Sequence, residues 1–116
     1  MKLPAEGKLL RIFVGEADRW RGKPLYEAIV EAARQHGLAG ATAWKGFMGF
    51  GASSRVHTAK VLRLSEDLPV VIEIVDAPEK IEAFLPTLDE MVQEGLVTLE
   101  RAEVIHYRHR KSKDGS

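Results

Sequence analysis

The stretch VVIEIVDAPEKIEAFLPTLDEMV, residues 70–92, decides the fold. Its first part, Val70–Asp76, consists mostly of β-branched residues, which fit a pleated sheet better than a helix and predict a central strand. After this strand the apolar residues recur with the spacing of one helical face, at Ile81, Phe84, Leu85, Leu88, Met91 and Val92. The stretch therefore predicts a buried strand followed by an amphipathic helix.

The ends of this helix carry local signals. Asp76 and Glu79 have the spacing of a capping box. Pro78 is tolerated in the first turn, because backbone N–H groups in that turn have no hydrogen-bond partner within the helix. Pro86 removes a backbone donor inside the helix at a cost of ~3 kcal/mol, so we expect a kink there or a later helix start. Gly95 is expected to close the segment.

The segment KLLRIFVG, residues 8–15, predicts the first strand, because it is short, aliphatic and ended by glycine. Successive side chains of a strand point to opposite faces of the sheet. We therefore expect Leu10, Ile12 and Val14 on one face, and Leu9, Arg11 and Phe13 on the other.

Between these strands the chain predicts a loop, a helix and two extended segments. EADRWRGK, residues 16–23, predicts a polar loop, and a helix is expected from Pro24 to His36 with Gly37 ending it at positive φ. An extended segment from 41 to 45 then leads into the glycine-rich loop GFMGFGASSR, residues 46–55. Residues 55–64 predict a further extended segment.

The last predicted strand is LVTLERAEVIHY, residues 96–107. The order strand, helix, strand, strand, helix, strand is typical of the α+β ferredoxin-like βαββαβ sandwich, in which two helices cover one face of an antiparallel sheet. Leu9, Phe13 and Ile105 are candidates for the other face. An apolar sheet face of this kind predicts oligomerisation with closed symmetry.

The chain fits one domain. We assign residues 1–107 to a single ferredoxin-like domain and residues 108–116, RHRKSKDGS, to a basic tail that we expect to be disordered. There is no cysteine, so disulfides and cysteine-based zinc sites are excluded. The opening MKLPAEGKLL lacks the apolar region of a signal peptide, and no stretch approaches the ~20 apolar residues of a membrane span, so we expect a cytoplasmic protein.

Charge and histidine spacing argue against two kinds of site. Lys and Arg number 17 and Asp and Glu also number 17, which removes the basic field that nucleic-acid binding uses, so no nucleic-acid partner is expected. The histidines have no metal-ligand spacing, and we expect neither a metal nor a cofactor. They are His36, His57, His106 and His109.

The glycine-rich loop carries the candidate binding site. Backbone N–H groups at Gly46, Gly49 and Gly51 could converge on an anion. Further donors could come from side chains at the end of this loop and just after it, namely Ser53, Ser54, Arg55 and His57. The alternative is a flexible hairpin loop whose serines face water.

Charged and aromatic residues beside this loop extend the candidate site. Lys45 and Arg101 could reach a shared cleft between subunits, or they could be solvated strand residues. Phe47 could stack on a base or pack against protein, whereas Trp44 is expected to pack.

Three segments of the chain resemble a family of PII-like proteins known as domain of unknown function 190, which is grouped with the nitrogen-regulatory protein PII. They are LLRIFVGEADRWRGKPLYEAIVEAAR, GLAGATAWKGFMGFGASSRVHTAKVLRLSEDLPVVIEIVD and FLPTLDEMVQEGLVTLERAEVIHY, which together cover nearly the whole chain. The resemblance implies a trimer with inward-facing sheets, ligand clefts between subunits and a mobile loop after the second strand.

The resemblance to true PII proteins is weaker. Their Lys-Gly-Phe-Gly turn contacts an adenine nucleotide; Lys45, Gly46 and Phe47 match its first three positions, and Met48 is inserted before Gly49. Their glycine-rich, lysine-bearing phosphate loop has no counterpart in QEGLVTLERAE, residues 93–103. The resemblance therefore implies that AMP or ADP binds better than the triphosphate.

These observations favour a regulatory trimer that binds an adenine nucleotide or similar anion. It would signal through the loop from Phe47 to His57, ordered on binding, to a protein partner such as a transporter or an enzyme. The alternative is a small ferredoxin-like enzyme with a pocket near His57 inside one subunit. A nucleic-acid binder ranks third, since it would need several aromatic residues exposed on the sheet.

Overall fold

The computed structural model describes residues 6–49, 57–58 and 67–108, with only the backbone given at 57–58. Most of the predicted extended segment 55–64 and nearly all of the predicted tail 108–116 lie outside these residues. The described strands are β1 (Glu6–Gly15), β2 (Arg19–Trp20), β3 (Lys23–Pro24), β4 (Thr42–Lys45), β5 (Met48–Gly49), β6 (His57–Thr58), β7 (Pro69–Asp76) and β8 (Leu96–Glu103). The described helices are α1 (Leu25–Gln35) and α2 (Pro78–Met91).

The main sheet has four antiparallel strands in the order β4-β7-β1-β8. This order confirms the α+β ferredoxin-like fold, and it confirms β7 as a central strand, next to β1. Residues paired across an antiparallel ladder share a face of the sheet. One such row runs across all four strands through apolar residues only, namely Trp44, Val71, Phe13 and Leu96.

Both helices cover the same face of this sheet. The expected inner side chains of β1 are buried there, with Leu10 and Ile12 fully inaccessible to solvent. They pack in one cluster with Ile29 of α1 and Phe84 of α2. The two helices also meet through the His36 ring, which lies edge-on to Phe84 with ring centroids 5.2 Å apart. The predicted division of β1 into two faces is confirmed.

The predicted capping box at the start of α2 is wrong. The N-cap is Ala77, with no side-chain cap bond, and Asp76 is still part of β7. The Asp76 carboxylate instead accepts hydrogen bonds from the N–H groups of Ala77 (2.7 Å) and Ala39 (2.8 Å) and is fully buried. The helix starts at Pro78 and includes Pro86, so the expected later start is wrong as well.

Helix α1 agrees with prediction, whereas the expected loop before it is wrong. Pro24 is the N-cap of α1, and Gly37 follows its C-cap with φ of 77°. Residues 19–24 form the β2–β3 hairpin, whose turn residues Arg21 and Gly22 have φ of 48° and 86°. Two positive φ values are the signature of a type I′ turn, which matches the twist of the flanking strands. The Arg21 guanidinium stacks over the Trp20 ring at 4.9 Å.

The face of the sheet opposite the helices, here called the open face, carries charge at its centre. Arg11 lies 2.8 Å from Glu73 and 3.5 Å from Glu100. The predicted place of Ile105 on this face is wrong, because β8 ends at Glu103, and Ile105 is 82% exposed beyond it. Within the described residues, neither helix has the length and apolar character to cross a membrane.

Candidate functional site

Lys45 ends strand β4 and forms the charged corner of the candidate site. Its Nζ donates to Glu16 Oε2 at 2.8 Å. This hydrogen bond, together with the negative charge of Glu16, raises the pKa of Lys45. The amine is therefore protonated at neutral pH. One of its three donors is engaged with Glu16, which leaves two for a ligand.

The two described glycines of the loop pack against the Pro69 ring. A Cβ atom built on Gly46 would lie 2.9 Å from Pro69 Cγ, and one built on Gly49 would lie 3.0 Å from it. The Gly46 N–H also donates to the Pro69 carbonyl at 2.7 Å and is thus engaged within the chain. Close packing therefore explains why glycine occupies both positions.

Gly46→Ala is expected to destabilise the protein by roughly 1–3 kcal/mol, the usual cost of overpacking a tight contact. Chemical unfolding of the variant measures this loss. Pro69→Ala removes the ring, so the double variant should lose less than the sum of the two single changes. Purely additive losses would show that Pro69 is not the constraint.

The two aromatic residues of the site are exposed in one subunit. Phe47 is 71% exposed and Trp44 is 51% exposed. Trp44 lies on the open face opposite Val71. Packing of Trp44 in the core of one subunit is therefore wrong, and its expected packing at a subunit interface stays a prediction.

The remaining loop residues are only partly described. Strands β5 and β6 place His57 opposite Gly49, so the backbone brings these two predicted site residues together. Gly51, Ser53, Ser54 and Arg55 lie outside the described residues. Their part in anion binding stays a prediction, as does the mobility of the loop from Phe47 to His57.

Arg101 lies at the opposite corner of the sheet from Lys45. It forms an ion pair with Glu6 beside a surface depression of about 270 Å³. Arg101 pairs with Lys8 on β1, whereas Lys45 is level with Val14. From ~4.8 Å between strands and ~3.3 Å per residue, the two cations are roughly 25 Å apart. One subunit does not bring them together.

Sequence reasoning missed the residues that hold the corner in place. Glu16 and Pro69 contact Lys45 and Gly46 across long stretches of chain, and no local pattern in the sequence signals either contact. Across residues 6–49 and 67–108, no group of three or more histidine or carboxylate side chains is placed to hold a metal ion.

Comparison with known proteins places the chain among uncharacterised relatives. The family model DUF190, described as "Uncharacterized ACR", matches residues 7–104. A UPF0166 protein of Aquifex aeolicus is 42% identical over 99 residues, 85% of this chain and 93% of the relative. A UPF0166 protein of Methanocaldococcus jannaschii is 37% identical over 95 residues, which are 81% of this chain and 87% of the relative.

Solved structures share the fold at low sequence identity. A putative PII-like signalling protein of Thermus thermophilus matches with a TM-score of 0.63 and 18% identity, covering 87% of this chain and 91% of the other. Another match is CPII, a nitrogen-regulatory PII-like protein of Thiomonas intermedia K12 bound to ADP, AMP and bicarbonate. It matches with a TM-score of 0.58 and 18% identity, covering 85% of this chain and 88% of CPII. These matches show a PII-like ferredoxin-like fold.

Proposed function

The chain belongs to the DUF190 family, and we propose that it is a PII-like regulatory protein, trimeric, that binds AMP or ADP in clefts between subunits. The observation that carries the proposal is the apolar row on the open face of a PII-like sheet, whose two ends are exposed. The bound state would be presented to a protein partner by the loop that follows Lys45.

The open face supports assembly through its row of apolar side chains. Trp44 and Leu96, at the two ends of the row, are 51% and 55% exposed. Exposed apolar side chains of this size on a small domain indicate an association site, because their burial is worth ~25 cal/mol for each Å². A trimer with inward-facing sheets would bury these two ends, whereas Val71 between them is already buried in one subunit.

Lys45 supports the nucleotide part of the proposal. It is a protonated amine at the edge of the sheet, with its side chain 52% exposed and two donors left beside the one engaged with Glu16. A protonated amine with two remaining donors suits the phosphate of a nucleotide. CPII carries ADP and AMP on the same fold, which agrees with this ligand class.

No observation favours the alternative of a small enzyme. The four proteins compared above are described as uncharacterised or as PII-like, and none is described as an enzyme. The His57 side chain, on which the alternative depended, lies outside the described part of the chain.

Calorimetry with AMP, ADP and ATP tests the ligand class. AMP or ADP should bind better than ATP, since the segment before β8 has Gly95 as its single glycine and no lysine. Lys45→Ala should weaken binding by about tenfold to a hundredfold, because a charge-assisted hydrogen bond contributes ~1.5–3 kcal/mol.

Lys80→Ala is the matched control, because Lys80 is an exposed lysine on α2 that donates to the Gly37 carbonyl. It should bind nucleotide like the unchanged protein. Tight binding of ATP alone would reverse the ranking, and no heat with any of the three would refute an adenine nucleotide as ligand.

A further inference from the structure

Exposed apolar groups also lie at the two outer edges of the sheet. At the β4 edge, Phe47 follows the strand after one intervening residue, Gly46, and is 71% exposed. At the β8 edge, a groove of about 440 Å³ runs between α2 and β8. This edge groove is lined by Leu85, Leu88, Val92 and Val97, with Glu82 and Asp89 among its polar residues. One edge thus offers an apolar side chain and the other an apolar recess.

The two features lie at the same end of the strands. Lys45 is level with Val14 through the ladder of β4, β7 and β1. A Cβ atom on Gly95 would lie 3.2 Å from Val92 and 3.4 Å from Val14, so one end of the edge groove is at the level of Val14 too. Phe47 comes two residues after Lys45, in a bend, and is therefore at most ~7 Å further on. When neighbouring subunits are related by a rotation about an axis parallel to the strands, Phe47 of one subunit and the edge groove of the next therefore lie at similar heights along that axis.

We propose that Phe47 of each subunit packs into the edge groove of the next subunit. The inference rests on the proposed trimer. The contact at the sheet edges would be a second interface, in addition to the one formed by the open faces. Because the two surfaces differ, the contact is head-to-tail, and such contacts form a closed ring when the rotation closes. An aromatic side chain in an apolar recess is the type of anchor that dominates interface energies.

The charges around the two features are complementary. Glu82 and Asp89 have no ion-pair partner in the described part of the chain. Lys45 lies two residues before Phe47, so packing of Phe47 brings the amine of Lys45, one of whose donors is engaged with Glu16, towards this acidic region. Lys45 then lies at the subunit boundary, and the candidate ligand site is incomplete in one subunit.

Engineered cysteines test the contact directly, since the chain contains no cysteine. The double variant Phe47→Cys/Val97→Cys, treated as the native assembly with a short bis-maleimide, should give covalent dimers and trimers on a denaturing gel. Each single variant should give none, because a head-to-tail contact brings unlike positions together. The two single variants refolded as a mixture should give covalent dimers and no covalent trimers.

The double variant Phe47→Cys/Ile105→Cys is the control, because Ile105 lies past the far end of β8, and it should stay uncrosslinked. Light scattering on the untreated double variants separates the inference from the proposed trimer. A trimer that is not crosslinked through 47 and 97, or that is crosslinked by a single variant, overturns the contact alone. A monomer of the unchanged protein overturns both.

Discussion

Leu96→Asp is expected to split the trimer into monomers. Leu96 ends the apolar row of the open face, opposite Phe13, and is 55% exposed in one subunit. In the trimer the new carboxylate would be buried without a partner, which costs ~3–5 kcal/mol, and the change occurs three times per assembly. In one subunit the site is half open to water, so the fold should survive.

Size exclusion with light scattering measures the effect. The unchanged protein should have about three times the chain mass of 12.9 kDa, and Leu96→Asp should have the chain mass itself. Ile105→Asp introduces the same charge at a residue that is 82% exposed and outside the sheet, and it should remain a trimer. A Leu96→Asp protein that keeps the trimer mass would show that the open face is not the interface.

Predictions that depend on local periodicity were confirmed. The two faces of β1 and the stripe of α2 follow from spacings of two and 3.6 residues, and burial of Ile12 and Phe84 agrees with them. The β2–β3 hairpin was missed because strands of two residues have no periodicity. Its one local signal, Arg21–Gly22, is weak because arginine rarely adopts positive φ.

The candidate site was predictable only where it continues a strand. Lys45 and Phe47 were recognised from the end of β4 and the glycines that follow. The partner of Lys45 is Glu16, 29 residues away, and this contact arises only after β1 and β4 join the same sheet. A single sequence does not encode such a pair in any local spacing, so the charge environment of the site had to come from the structure.

The role of Asp76 could not be predicted from local spacing either. Its spacing to Glu79 resembles a capping box, yet its carboxylate joins Ala77 to Ala39, 37 residues away. The side chain therefore fastens the α1–β4 connection to the end of a central strand. No other described carboxylate is fully buried.

Asp76→Ala is expected to lower the free energy of unfolding by about 3–5 kcal/mol. The change removes the acceptor of two N–H groups, the buried one of Ala77 and the partly buried one of Ala39, and each lost bond to a charged group costs ~1.5–3 kcal/mol. Urea unfolding at one fixed protein concentration measures the loss, because assembly makes stability depend on concentration. Glu90→Ala, on the exposed face of α2 and outside the edge groove, should change stability by less than ~0.5 kcal/mol. If Asp76→Ala unfolded like Glu90→Ala, the two hydrogen bonds would contribute little, and the α1–β4 connection would have to be held by its apolar contacts alone.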